Sequence, residues 1–362
     1  MKYLSEYRNP SIAKNLIKTI NSISKKKINL MEVCGTHTVA ISKSGMRQVL
    51  PSTITMLSGP GCPVCVTPNC DLDKAIALAQ MPDVILITFG DMMRVPGSYS
   101  SLAREKANGF DIRIVYSTLD ALKIAEENPH KKVVFFGVGF ETTSPTIALS
   151  VTEARRRGLK NYFVLARHKI VPPAMAALLS LGEIRIDGFI CPGHVSTIIG
   201  SKPYEFIAER GTPCVISGFE PLDILQSILI LAQQTESNEA KVEIQYKRSV
   251  HPEGNPTALK VIEEVFEPSD ANWRGIGIIP ESGLKLRERY EDFDADKIFK
   301  VEVPPTKETK GCGCGEILRG VKFPYECALF GKACTPENPI GPCMVSSEGS
   351  CAAYFRYGEI ET

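Results

Sequence analysis

From residue 28 to residue 217 the sequence alternates short, β-branched apolar runs with helix-length segments, and few folds accept that rhythm. Runs at 28–33, 54–58, 84–88 and 112–116 are separated by helical stretches such as Asp71 to Gln80 and Leu119 to Glu127. Further runs at 132–138 (KVVFFGV), 162–166, 186–190 and 213–217 alternate with helical patterns at 145–156, 172–181 and 221–234. Apolar strands spaced by helices build parallel sheets. The spacing therefore predicts an α/β protein with two successive α/β domains and mainly parallel sheets. The first spans 1–130 and carries an N-terminal helical extension. The second spans 131–240, the division falling where Asn128-Pro129 breaks the preceding helix.

After residue 240 the rhythm weakens, and 241–362 is expected to form a C-terminal, loop-rich domain. Its closing strings CGCG, FGKAC, GPC and SSEGSC offer too few periodic apolar runs for a large core. A metal or cluster that ties loops together is one way to hold such a segment. The start, MKYLSEYRNPSIAKN, lacks the apolar centre of an export signal, so a cytoplasmic location is expected. In a reducing compartment the twelve cysteines read as metal ligands or redox thiols rather than structural disulfides. No apolar run approaches membrane-spanning length. A net charge of +1 argues against a broad nucleic-acid surface.

Half of those cysteines lie in the tail, as Cys312, Cys314, Cys327, Cys334, Cys343 and Cys351, with spacing C-x-C-x12-C-x6-C-x8-C-x7-C. A 4Fe-4S cluster takes four thiolates, which leaves two sulfurs over. Zinc is the alternative, but it usually draws two ligands from a C-x2-C knuckle, and the tail has none. In Cys312-Gly-Cys314 the two sulfurs are expected to project differently, one binding and the other facing away. Buried, unreactive cysteines are the plainer reading of the same residues.

Cys34, in Glu32-Val33-Cys34-Gly35-Thr36-His37-Thr38, sits where a predicted strand gives way to a helix. Ligands collect at that edge of a parallel sheet, and helix amides there are expected to lower the thiol's pKa and leave it accessible. His37 is near enough to serve as base, ligand or hydrogen-bond partner. Gly59-Pro60-Gly61-Cys62-Pro63-Val64-Cys65 brings a C-x2-C pair, a redox dithiol or soft-metal site, to the same edge. Loops Gly137 to Pro145, Arg167-His168-Lys169 and Cys191-Pro192-Gly193-His194 follow predicted strands too. Gly137 and Gly139 with Thr142 and Thr143 suggest an anion cradle, yet they complete neither a G-x-G-x-x-G nor a P-loop. For each loop a tight turn or helix cap is the structural reading. What favours function is convergence, since His37, His168 and His194 are three of five histidines. A G-x-S-x-G elbow and an H-E-x-x-H helix are absent, which disfavours hydrolysis.

Taken together, CGTHT at 34–38, GPGCPVC at 59–65, GFETTSP at 139–145, CPGHVS at 191–196 and the tail from CGCG through CTPENPIGPCMVSSEGSCAA resemble the HypD family of hydrogenase maturation factors. The resemblance covers nearly the whole chain. It implies a maturation scaffold with redox activity rather than a conventional turnover enzyme. On it the Fe(CN)2CO unit of nickel-iron hydrogenases is assembled, with HypC as partner and cyanide delivered through HypE. It also implies that Cys34 holds the assembling iron jointly with a HypC cysteine, with His37 beside it and Cys62 and Cys65 as redox pair or further ligands. By the same resemblance Cys312, Cys327, Cys334 and Cys351 bind a 4Fe-4S cluster and Cys314 and Cys343 form a dithiol, an arrangement similar to that of ferredoxin-thioredoxin reductase.

Two other readings fit parts of the sequence. A cluster-dependent thiol-disulfide reductase would use Cys62 and Cys65 but has no need of Cys34 with His37. A zinc-stabilised binding module would be colourless, whereas a 4Fe-4S protein is brown.

Overall fold

The computed structural model describes residues 5–358. Its strands are β1 (Ile28–Glu32), β2 (Ile54–Ser58), β3 (Val84–Thr88), β4 (Ile112–Ile114), β5 (Lys132–Gly139), β6 (Tyr162–His168), β7 (Gly188–Pro192), β8 (Cys214–Ser217), β9 (Val242–Ile244), β10 (Phe266–Trp273) and β11 (Gly277–Leu286). The first nine form two sheets, ordered β2-β1-β7-β8-β9 and β4-β3-β5-β6. Every pairing within them is parallel, as strand-helix-strand connections require. The α/β class with mainly parallel sheets and a loop-rich, cysteine-bearing C-terminal segment is thus what the chain adopts.

The sheets are interleaved in sequence rather than successive. The chain lays down β1 and β2, crosses to build the whole four-stranded sheet, and returns with β7, β8 and β9 to complete the first. A boundary at residue 130 would fall between β4 and β5, inside the four-stranded sheet. Asn128-Pro129 does end a helix, Thr118–Glu127, but that helix only connects these two strands. The physical reason is that apolar rhythm reports the presence of strands, not their partners. The wholly buried run of β3 pairs on both sides, Leu86 lying opposite both Ile112 and Val134.

Three apolar clusters hold the layers. Beneath the five-stranded sheet, Leu30, Ile190 and Val215 meet Ile224 and Ile228 of the Pro221–Ser237 helix and Ile20 of the N-terminal helix, Pro10–Ile23. That first helix starts because the Asn9 side chain accepts from the amides of Ser11 and Ile12 and Pro10 tolerates the first turn. Burying Ile20 stabilises its docking by about 2 kcal/mol. The four-stranded sheet packs Val133 and Phe135 against Ile147 and Val151 of the Ser144–Arg156 helix. The largest cluster joins Met31, Leu57, Val134 and Phe136 with Trp273 and with Cys314, Cys334, Cys343 and Cys351 of the tail.

The antiparallel β10–β11 hairpin carries no apolar run that marks it as strand, since in β10 only Phe266 and Trp273 at its ends are buried and Pro, Ser, Asp and Asn fill the middle. It covers β6, an edge strand, where the Ile170 amide donates to the Ser282 carbonyl at 2.8 Å. Among the described residues no helix is long and apolar enough to cross a membrane.

Candidate functional site

In the five-stranded sheet β1 lies between β2 and β7, so the chain leaves it toward one side while the later strands add on the other. A crevice opens beyond the carboxyl end of such a strand. Cys34 occupies that point and caps the helix Gly35–Lys43 with extended backbone. The loop after β2 presses directly on it. The Gly35 amide donates to the Gly61 carbonyl at 2.9 Å, and a Cβ on Gly61 would lie 2.1 Å from the Cys34 nitrogen. Only glycine permits that approach.

Cys34 is not the open, acidic thiol expected from its helix-cap position. It is 8% exposed, and burial pushes its pKa up to about 12. The amides of His37 and Thr36 do favour the thiolate, but burial outweighs them, with Glu348 and Glu32 adding negative charge. Glu32 is itself fully buried and pushed up to about 7, its carboxylate accepting from the Cys34 amide at 3.1 Å and the Thr38 hydroxyl at 2.6 Å. Glu348 reaches in from the tail to accept from the Thr36 hydroxyl at 2.7 Å. Neither glutamate was singled out from the sequence. Glu32 was hidden as the last residue of an apolar strand, and Glu348 lies far along the chain in SSEGS.

His37 is wholly buried and donates from Nε2 to the Gly218 carbonyl at 3.0 Å, which leaves Nδ1 with its lone pair and no partner. Burial lowers its pKa to about 4, so the ring is neutral at physiological pH. His37 stacks on Phe219 at 4.9 Å and His194 on the same ring at 4.0 Å. His168 does not join them. It sits on the four-stranded sheet against Phe266, so the three expected histidines reduce to two. Cys191 also turns away, buried in β7 with its thiol beside that of Cys214. In GFETTSP the hydroxyls of Thr143 and Ser144 fold back on the Phe140 carbonyl, as in a turn, while Glu141 accepts from the Val171 amide at 2.9 Å.

All twelve cysteines are free thiols. Cys62 caps the short helix Pro63–Val66, and its sulfur accepts from the Cys65 amide at 3.2 Å. From there a path of hydrogen-bonded thiols runs Cys62, Cys65, Cys343 and then Cys314 and Cys351. Cys343 is held well below the ordinary thiol range by its hydrogen bonding with the thiols of Cys314, Cys351 and Cys65, and its neighbours Cys65 and Cys351 are raised in turn. Among the described residues no three of Cys, His, Asp and Glu converge as ligands of a single metal ion.

The tail surrounds a small hollow lined by Cys312, Cys314, Cys327, Cys334 and Cys351 with Leu329, Phe330 and Met344. An iron-sulfur cluster takes one thiolate per iron rather than several on one ion, and five thiols spread round an apolar hollow fit it. Cys343 lines no part of it. The expected divergence of Cys312 and Cys314 is not found. Gly313 turns the chain at φ −86°, ψ 12°, and both sulfurs come within 2.6 Å of where a Cβ on Gly341 would sit. The geometry thus sets Cys343 apart from the other five and does not by itself divide Cys312 from Cys314.

Comparison with known proteins is consistent along the whole chain. The family model for HypD, described as "Hydrogenase formation hypA family", matches residues 11–358. Hydrogenase maturation factor HypD2 of Bradyrhizobium diazoefficiens is 49% identical over 369 residues, covering 99% of this chain and 97% of that protein. Hydrogenase maturation factor HypD of Cupriavidus necator is 47% identical over 372 residues, covering 100% and 98%. Hydrogenase maturation factor HypD of Azotobacter vinelandii is 47% identical over 368 residues, covering 99% and 97%.

Proposed function

Because this chain belongs to the HypD family, we propose that it matures nickel-iron hydrogenases as a cytoplasmic scaffold, holding, with HypC, the iron on which the Fe(CN)2CO unit is built. Cyanide arrives through HypE. The observation that carries this reading is the convergence on Cys34 of the two loops after β1 and β2 and of Glu348 from the tail. In this reading Cys34 is the protein's thiolate for the incoming iron. A buried thiol raised to about 12 stays protonated until a cation displaces its proton. The nearby Glu32 and Glu348 oppose a bare thiolate but favour a thiolate bearing a divalent cation. His37, neutral and with Nδ1 unpartnered, orients or ligates the iron cargo.

In the tail, Cys312, Cys327, Cys334 and Cys351 hold the 4Fe-4S cluster, and Cys314 with Cys343 forms the dithiol. The cluster supplies single electrons when bound. The residues of this chain provide the onward path, since Cys343 touches Cys65 and Cys65 touches Cys62, which ends in the loop pressed on Cys34. That same unbroken path favours a second reading, a thiol-disulfide reductase with Cys62 and Cys65 as its working pair.

Purified as a complex with HypC, the protein separates the two. Cys34→Ala is expected to abolish the cyanide and carbonyl stretching bands while the C-terminal cluster's absorption persists, and His37→Ala to weaken the bands. Bands at full intensity in the Cys34→Ala complex would leave the reductase as the better account.

A further inference from the structure

A second cavity touches the tail cysteines from another side. It has a volume of about 200 Å³ and lies between Arg274 and Gly341, and the only residues it shares with the hollow described above are Cys312 and Cys314. Cys343, wholly buried, lines neither. Of the two proposed dithiol sulfurs, therefore, only that of Cys314 belongs to a residue facing this cleft.

The cleft's wall carries a built-in charge. Arg274 is 6% exposed and donates to the Thr67 carbonyl from Nε at 3.1 Å and from one terminal nitrogen at 2.8 Å. That nitrogen also reaches the Asn69 side-chain oxygen at 2.7 Å, and the other reaches the Glu308 carboxylate at 3.0 Å. Four of its five N–H groups are thus engaged. The Glu308 side chain is 64% exposed and stands at the rim, so an incoming carboxylate can take its place on a guanidinium that is already fixed.

We propose that this cleft admits a low-molecular-weight thiol bearing a carboxylate, which reduces a Cys314–Cys343 disulfide. The proposal rests on the reading of those two residues as a dithiol. The donor thiolate attacks the Cys314 sulfur, forming a donor–Cys314 disulfide as the Cys314–Cys343 bond breaks, and Cys343 leaves as a thiolate that takes up a proton. A second donor thiolate attacks the donor sulfur of that mixed disulfide. Donor disulfide is released, and Cys314 takes up the second proton. Two donor thiols lose two electrons and the protein gains both. Attack at Cys314 frees the sulfur that already touches Cys65, so reducing equivalents enter on the side from which the path to Cys62 departs.

The test uses the full-length, cluster-loaded protein, oxidised anaerobically, with disulfide loss followed by alkylation and mass mapping and the cluster followed by absorption. The probes are 3-mercaptopropionate and cysteamine, of similar size and opposite charge, each rate being normalised to thiolate concentration. Glu308→Gln is expected to raise the ratio of the two rates in favour of 3-mercaptopropionate by about threefold or more. Arg274→Gln should abolish that preference, and Thr309→Trp, placing bulk at an exposed rim position, should slow both probes by about tenfold. If the disulfide forms but its reduction ignores probe charge and the two rim substitutions, the port is wrong and the dithiol stands. If no Cys314–Cys343 disulfide forms in any oxidised sample, the dithiol reading fails and takes the port with it.

Discussion

The thiols of Cys65 and Cys343 are hydrogen-bond neighbours, so the loop after β2 and the cysteine-rich tail meet sulfur to sulfur. With Cys62 on one side of this contact and Cys314 on the other, removing one thiol should reveal what its neighbour can reach.

Cys62→Ser leaves Cys65 without its nearest partner in sequence but still beside Cys343. Mild oxidation of this variant is expected to yield a Cys65–Cys343 disulfide, detected as a cross-linked peptide in a non-reducing digest. Recovery of both residues as alkylated free thiols would break the proposed path.

Iron and sulfide content should divide the tail cysteines. Single changes of Cys312, Cys327, Cys334 or Cys351 to Ala are expected to lower both, whereas Cys343→Ala, outside the hollow, should retain them. Full retention in all four would sink the ligand assignment.

The close approach of the two loops predicts a stability difference between two glycines. Gly61→Ala forces a methyl group to 2.1 Å from the Cys34 nitrogen and is expected to cost about 3 kcal/mol in urea unfolding. Gly90→Ala meets nothing closer than 3.7 Å and should stay within about 0.5 kcal/mol of the parent. Equal midpoints for the two variants would show that the contact is not made.

Glu141 is fully buried and pushed by that burial from 4.5 up to about 7. The folded protein therefore binds this proton more tightly than the unfolded chain does. The stability it contributes is fully present below about pH 4.5 and is lost as pH rises toward 7. Glu141→Gln keeps an oxygen for the Val171 amide and removes the titration. Relative to the parent, its stability should rise by about 3 kcal/mol across that window. His37 and His168, lowered to about 4 and about 3, act in the opposite sense in both proteins and cancel in the difference. A flat difference curve would count against the buried carboxyl.

Local chemistry was legible in the sequence and long-range partnership was not. The run VILIT had to be a strand because a two-sided apolar segment has few other homes, and β3 occupies those same residues. That it pairs with β5 rather than with the sheet of β1 depends on surfaces far apart in sequence. The same holds at the site. CGTHT placed Cys34 and His37 at a strand end, but the thiol's acidity depends on burial and on the negative charges of Glu348 and Glu32, partners that the local string does not show. Phe219, the ring joining His37 and His194, carried no motif at all.

The interleaved order of the sheets bears on how the protein is made. On a ribosome β3 to β6 can pair as soon as they emerge, since they are consecutive, whereas the β1–β2 pair must wait for β7 to β9 before its sheet is complete. Glu348, which closes over the Cys34 loop, is translated 312 residues after its partner Thr36. On the proposed reading of Cys34, a nascent chain that has not yet reached Glu348 lacks one wall of the cradle around that thiol.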